Sequence, residues 1–267
     1  PLSVSMALNM TLNGAAGQTS EEMREALRAS AYSTEQINEY SKSLREALME
    51  VDPSTALTIA NSIWYREGFS VKNDFIKVNR DNYNAEIKPL DFSLPNAVKQ
   101  INNWCAVQTN DKIKEILEKI PGDAMMYLIN AVYFKGIWVS QFDKKDTKAE
   151  DFYPAGGSSI KVDMMRQEAD FNYRSDENAG YLELPYGNNA FSMVLRLPNE
   201  GKTTGDILQH LSSGYWNDIM AAMYGTKVNL HLPRFKTECQ YRMQEKILPA
   251  MGMNIPFTGM ADFSGIS

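Results

Sequence analysis

The run from Ala124 to Val139 constrains this 267-residue chain more than any other segment. It is the longest apolar stretch, broken only at Asn130 and at Lys135-Gly136. A helix needs about 20 consecutive apolar residues to cross a bilayer, and this run falls short of that. A strand that is apolar on both sides belongs inside a large sheet with both faces covered. Residues 125–139 are therefore predicted to form a central strand buried on both faces, with Asn130 as a polar side chain that burial obliges to find a partner.

The rest of the chain alternates helix and strand signals around that strand. Leu2, Met6, Met10 and Leu12, with Val4 and Leu8 between them, predict a largely buried helix over 2–13 that Gly14 and Gly17 end. Thr19 followed by Glu22 has the spacing of a capping box for a short helix through about Ala29. Ile37, Tyr40, Leu44 and Leu48 predict a helix over 35–48. Residues 56–65 read as a strand, 71–83 as a helix and 85–90 as a short strand. Pro95 opens a predicted helix to Gln108, where its missing N–H is harmless, and Val98, Ile101, Trp104 and Cys105 mark the buried face. Strands are predicted near 160–165, 170–174, 180–185 and 190–197, and short helices over 204–211 and 215–223. Lys227–Glu238 is strand-like but broken by Pro233, and 241–251 has helical spacing. No repeat and no low-complexity linker divides the chain, so one intimately mixed α+β domain over 1–267 is expected.

Composition excludes several classes. Hydrophobic residues make up 43% and charged residues 22%, as in a globular protein rather than a disordered one. With 27 basic and 33 acidic side chains the net charge is −6, and no basic face is visible, so nucleic acid is not an expected partner. Lys144, Lys145 and Lys148 are interrupted by Asp143 and Asp146 and read as a solvated polar stretch. Cys105 and Cys239 supply no disulfide framework and are expected to be two buried free thiols.

The search for catalytic chemistry is empty. The two histidines, His210 and His231, have no G-x-S-x-G nucleophile turn to serve and are expected to be structural or surface residues. There is no H-E-x-x-H or C-x-x-C, so no metal site is expected. Gly156-Gly157 lacks the rest of a phosphate loop, so no nucleotide cofactor is expected either. Glu21-Glu22 at a helix start is accounted for by the helix dipole, and the fifteen methionines by core filling.

The segment Asn130-Ala-Val-Tyr-Phe-Lys-Gly-Ile-Trp138 resembles the signature at the end of the third strand of the main sheet of serpins. Further matches follow in chain order: Pro1-Leu2-Ser3, Ile101-Asn102-Asn103-Trp104 with Thr109 and Ile113, Phe142, Thr147, Phe152 and Met164-Met165. Leu184-Pro185-Tyr186, Leu197-Pro198, Leu232-Pro233-Arg234-Phe235 (arginine in place of the family's lysine), Leu248, Met251-Gly252, Phe257 and Ala261-Asp262-Phe263-Ser264 complete the set. The chain is thus similar to a serpin over essentially its whole length. The matches read as part of a serpin domain, without the helix that precedes Pro1 and without the reactive loop after Ser267. The scarcity of cysteines and a single sequon, Asn9-Met10-Thr11, in a helix expected to be buried lean towards a bacterial member.

The resemblance implies a large central mixed sheet, two smaller sheets and eight to nine helices, incomplete here. It implies an inhibitor of serine or cysteine proteases that is not itself an enzyme, needs no cofactor, works outside the cell or on its surface, and is a monomer open to loop–sheet polymerisation. A non-inhibitory carrier, chaperone or storage protein is the alternative, and a hydrolase on another fold a third. It places Ser3 and Asn130 in the shutter, where the central strands separate, and Trp138 and Arg234 near the breach, where insertion begins. Asn130, Phe134, Lys135, Gly136 and Trp138 carry the signature. Arg234 is there expected to face an acidic hinge residue, and the helix over 95–108 to shift or be bypassed during insertion.

Overall fold

The structure, a computed structural model, describes every residue except Pro1, Ala155 and His210. The expectation for His210 and the first residue of the Pro1-Leu2-Ser3 match therefore lie outside the described residues. The chain divides into two compact units, Pro1–Lys135 with Gln240–Ser267, and Gly136–Cys239.

The first unit contains α1 (Leu2–Leu12), α2 (Gly17–Ala26), α3 (Thr34–Glu50), β1 (Ala56–Arg66), α4 (Asn73–Tyr83), β2 (Glu86–Leu90), α5 (Ala97–Gln108) and β3 (Met126–Lys135). The strands form a mixed sheet in the order β2-β1-β3, with β2 parallel and β3 antiparallel to β1. Period-two alternation sends successive side chains of β1 and β3 to opposite faces. Trp64, Tyr127, Ile129 and Ala131 pack with Ile101, Trp104 and Cys105 of α5. Ile63, Met126 and Leu128 pack with Met6 and Met10 of α1 and with Phe75 and Tyr83 of α4. The two-sided cover inferred from the apolar run is therefore present.

Two details of that inference are corrected. The strand ends at Lys135 instead of continuing to 139, and only Ala131 of β3 is fully buried. The reason is position: among the described residues β3 pairs with β1 alone, so it forms one edge of the sheet.

Local signals held less evenly. The capping box belongs to α3, where Gln36 N donates to Ser33 Oγ at 3.2 Å and Ser33 N to Gln36 Oε1 at 2.9 Å. Thr19 and Glu22 do not cap α2, whose N-cap is Ala16. Thr19 lies in its first turn and Glu22 in its second, and they receive N–H groups from Asp262 to Thr19 at 2.8 Å, and from Asn254 and Ile255 to Glu22 at 2.7 and 2.6 Å. Pro95 sits in the turn before α5, which starts at Ala97. The helix expected over 241–251 is reduced to a 3-10 turn at Met243–Glu245 and a helical turn at Ile247–Ala250, in keeping with the missing N–H of Pro249.

The second unit contains β4 (Lys148–Phe152), β5 (Ile160–Ser175), β6 (Ala179–Tyr186), β7 (Phe191–Pro198), α6 (Thr204–Gln209), α7 (Ser213–Ala221) and β8 (Tyr224–Pro233). Its five strands are antiparallel in the order β4-β5-β6-β7, with β8 on β5. The two strands expected at 160–165 and 170–174 are one continuous β5. Residues between them pair with β8, Arg166 opposite His231 and Ala169 opposite Val228. β5 also gathers into one sheet what the resemblance presents as two smaller ones: its first residues pair with β4 and its last three with β6. The solvated stretch around Lys148 turned out to be an edge strand, β4, most of it exposed.

The class is α+β, as expected. Among the described residues no helix is long and apolar enough to cross a membrane. Cys105 is buried, but Cys239 is exposed; its neighbours Lys236, Glu238 and Gln240 are polar and the chain there has no regular structure.

Candidate functional site: a polar seam in the sheet of the first unit

Asn61 and Asn130 are directly opposed across β1 and β3. Both project to the face covered by α1 and α4, next to the Ile63–Leu128 pair. An amide there is satisfied only by another polar group. Asn130 Nδ2 donates to Asn61 Oδ1 at 2.8 Å, and Asn61 Nδ2 donates to the Tyr83 carbonyl at 2.7 Å. Tyr83 is the last residue of α4, so Asn61 satisfies a carbonyl that the helix end leaves open. Ser3 of α1 adds a long contact, its Oγ donating to the Asn130 carbonyl at 3.4 Å.

These contacts fix the facing of both amides. An oxygen of Asn61 cannot face the Tyr83 carbonyl, so its Nδ2 must, and its Oδ1 is left for Asn130. Asn130 must then present Nδ2, and its Oδ1 is buried with no hydrogen-bond partner among the described residues. Asn61 is 2% exposed and Tyr83 0%. Burial pushes the Tyr83 hydroxyl up to about 12, so it remains a neutral donor across the physiological range. The seam is thus a set of neutral amides and hydroxyls. It can exchange hydrogen-bond partners, and it offers no nucleophile or acid–base pair.

Ser3 and Asn130 of the expected shutter meet here. Phe134 and Lys135 of the signature lie further along β3 and are exposed. Asn61 and Tyr83 were missed. The available signal was the polar Asn61 at a position where alternation from Ile59 and Ile63 demands a core-facing side chain.

Gly136 and Trp138 belong to the second unit. Trp138 forms an isolated bridge with Tyr186 and stacks on its ring at 5.9 Å, while Phe142 meets it edge-on at 5.4 Å. The indole Nε1 is buried and without a hydrogen-bond partner among the described residues. Arg234 follows β8; its N–H donates to the Asp163 carbonyl at 2.8 Å and its side chain is exposed. The structure thus gives Trp138 an aromatic cage and leaves the Arg234 guanidinium in solvent. His231 Nδ1 stands 3.7 Å from Glu150 Oε2, and the other carboxylate oxygen is paired with Arg166. Glu150 of β4 is thus ion-paired with Arg166 of β5, with the His231 ring of β8 beside it.

A mixed sheet covered on both faces, an antiparallel sheet and a polar seam between strand and helix define an α+β protein with no catalytic constellation at the seam. A model of the family described as serpin (serine protease inhibitor) matches residues 1–267, and the chain belongs to the serpin family. It is 35% identical to Iris of Ixodes ricinus, over 100% of this chain and 72% of that protein. It is 32% identical to Serpin B3 of Homo sapiens, over 100% and 74%. Of solved structures, it superposes on the thermophilic serpin Tengpin in the native state with a TM-score of 0.90 at 35% identity, covering all of this chain and 68% of Tengpin. It superposes on reactive-loop-cleaved human thyroxine-binding globulin with 0.94 at 25% identity, covering 100% and 80%.

Proposed function

We propose that this chain is the strand-accepting part of an inhibitor of serine endopeptidases, with cysteine endopeptidases as further targets, and that it acts by loop insertion and covalent trapping. The observation that carries the reading is the serpin family match over residues 1–267. The amide seam supports it: Asn61 and Asn130 pair across β1 and β3, strands covered on both faces, and amides of this kind can exchange hydrogen-bond partners as strands part.

In this reading the chemistry belongs to the protease. Its nucleophile attacks the scissile carbonyl of the reactive loop, the peptide C–N bond breaks, the amine leaves with the proton, and an acyl-enzyme remains. The loop then adds to the main sheet, and deacylation by water is halted because the protease is displaced and distorted. The protein is not an enzyme. Ser3 and Asn130 exchange partners as strands separate at the seam, and Trp138 and Arg234 act where insertion starts. The two units form one domain, and the protein acts as an exported monomer for which loop–sheet polymerisation is the failure mode. Tengpin, a relative at 35% identity, has been solved in both native and latent states, which supports a fold with two stable arrangements.

The test is incubation with a panel of serine and cysteine proteases followed by denaturing electrophoresis. A protease-sized increase in mass that survives boiling is expected. Cleavage by every protease without such a complex overturns the reading. It then favours a carrier, for which the likeness to thyroxine-binding globulin is the specific ground; the loop-cleaved and intact forms are in that case expected to unfold at the same temperature.

A further inference from the structure

The seam does not end at Tyr83. The Tyr83 hydroxyl donates to Asn38 Oδ1 on α3 at 2.6 Å, and Asn38 Nδ2 donates to Asn13 Oδ1, in the turn after α1, at 2.8 Å. Asn13 Nδ2 donates to Asn79 Oδ1 on α4 at 3.2 Å, and Asn79 Nδ2 to the Phe75 carbonyl at 3.0 Å. Asn38 is 4% exposed and Asn79 0%. Every donor in the series points the same way, from Asn130 towards Phe75.

Each half of the series ends on a backbone carbonyl, which only accepts. The Tyr83 carbonyl sets the facing of Asn61 and Asn130. The Phe75 carbonyl sets Asn79, then Asn13, then Asn38, and leaves Asn38 Oδ1 in need of a donor, which the Tyr83 hydroxyl supplies. One fully buried residue therefore joins the two halves, with its carbonyl in one and its hydroxyl in the other. Within each half the buried groups polarise one another; between the halves the link is mechanical, because the carbonyl and the hydroxyl belong to one fully buried residue.

We propose that Tyr83 is a positioning residue for Asn130. Its carbonyl holds Asn61, and through it the Asn130 amide, in one facing, and its hydroxyl ties the position of that carbonyl to Asn38, Asn13 and Asn79. The helices α1, α3 and α4 are by this route tied to Asn130 on β3, the strand of the proposed seam. The inference rests on reading Asn130 as part of a seam that opens, but its test does not use a protease.

Tyr83→Phe removes only the hydroxyl. The readout is the side-chain amide signals of the asparagines in the whole protein labelled with nitrogen-15 at Asn, assigned by Asn61→Ala and Asn130→Ala. The signals of Asn61 and Asn130 are expected to move together with those of Asn38 and Asn13. Movement confined to Asn38 and Asn13 means a local structural role and overturns the proposal. The cycle of Tyr83→Phe with Asn130→Ala supplies the second readout. Residues that share no contact normally add in their effects, whereas members of one network couple. An unfolding constant for the double variant about tenfold from the additive value is expected, and additivity overturns the proposal. Should Tyr83→Phe not fold, Asn13→Ser interrupts the series beyond Tyr83 and is read on the same signals. Coupling without protease trapping removes the inhibitor reading and keeps the relay; trapping without coupling removes the relay alone.

Discussion

Asn61→Ala is the sharpest perturbation of the seam. Asn61 is 2% exposed and is the side chain that joins Asn130 to the end of α4. Alanine leaves two groups without partners, the Tyr83 carbonyl and Asn130 Nδ2. A buried polar group left unsatisfied costs about 1–3 kcal/mol. Two of them give about 2–6 kcal/mol, and because Asn130 is only partly buried and can turn towards water, a loss of about 2–4 kcal/mol is expected. That is a large share of the ~5–15 kcal/mol by which a folded domain is usually stable. Urea unfolding measures it as a lower midpoint with an unchanged slope. Hydrogen exchange should show the loss concentrated in the amides of β1, β3 and the last turn of α4. A loss below about 0.5 kcal/mol, the level of an ordinary surface change, would refute the reasoning. Asn61→Asp supplies the converse. Its carboxylate would face the Tyr83 carbonyl, so the folded protein favours the protonated acid and the folded-state pKa is raised. Stability is then present in full below the unfolded pKa and lost as pH rises through the folded one. Asn61→Asp should regain stability on acidification, and Asn61→Ala should not.

Two further outcomes follow from groups away from the seam. The N–H groups of Ile255 and Asn254 hold the Glu22 carboxyl below its ordinary range, so its contribution is present above the unfolded pKa and lost as pH falls through the lowered one. Glu22→Gln should therefore be less stable than the natural protein at pH 7 and converge with it in acid; melting curves from neutral to acid pH that stay parallel would count against this. Burial pushes the Cys105 thiol up and hides it, while Cys239 is exposed. A thiol reagent should label Cys239 at once in the native protein and Cys105 only on unfolding, a difference that peptide mass spectrometry reads directly.

How much of this was legible in the sequence depended on the range of the interaction. Residues 2–13, 56–65 and 71–83 carry their own periodicity, and α1, β1 and α4 lie where it puts them. Thr19 and Glu22 have capping spacing, yet their oxygens are used by Asp262, Asn254 and Ile255, more than two hundred positions away. Pro95 and the 241–251 segment differ for a local reason: helical spacing is present, but α5 starts at Ala97 and the missing N–H of Pro249 interrupts the later helix. The exposed Cys239 shows the opposite error, since a small apolar residue was assumed to be buried where the flanking chain is polar and irregular.

The apolar run from Ala124 to Val139 by itself determined that a strand would sit between two layers of side chains, because only a sheet covered on both faces accepts such a segment. The motif within it determined the family. Tertiary structure alone decided that Asn130 faces Asn61 and that Asn61 faces Tyr83. Strand register and the end of a helix meet there, and the hydrogen-bonding demand of a buried amide is settled by whichever polar group the fold brings within about 3 Å.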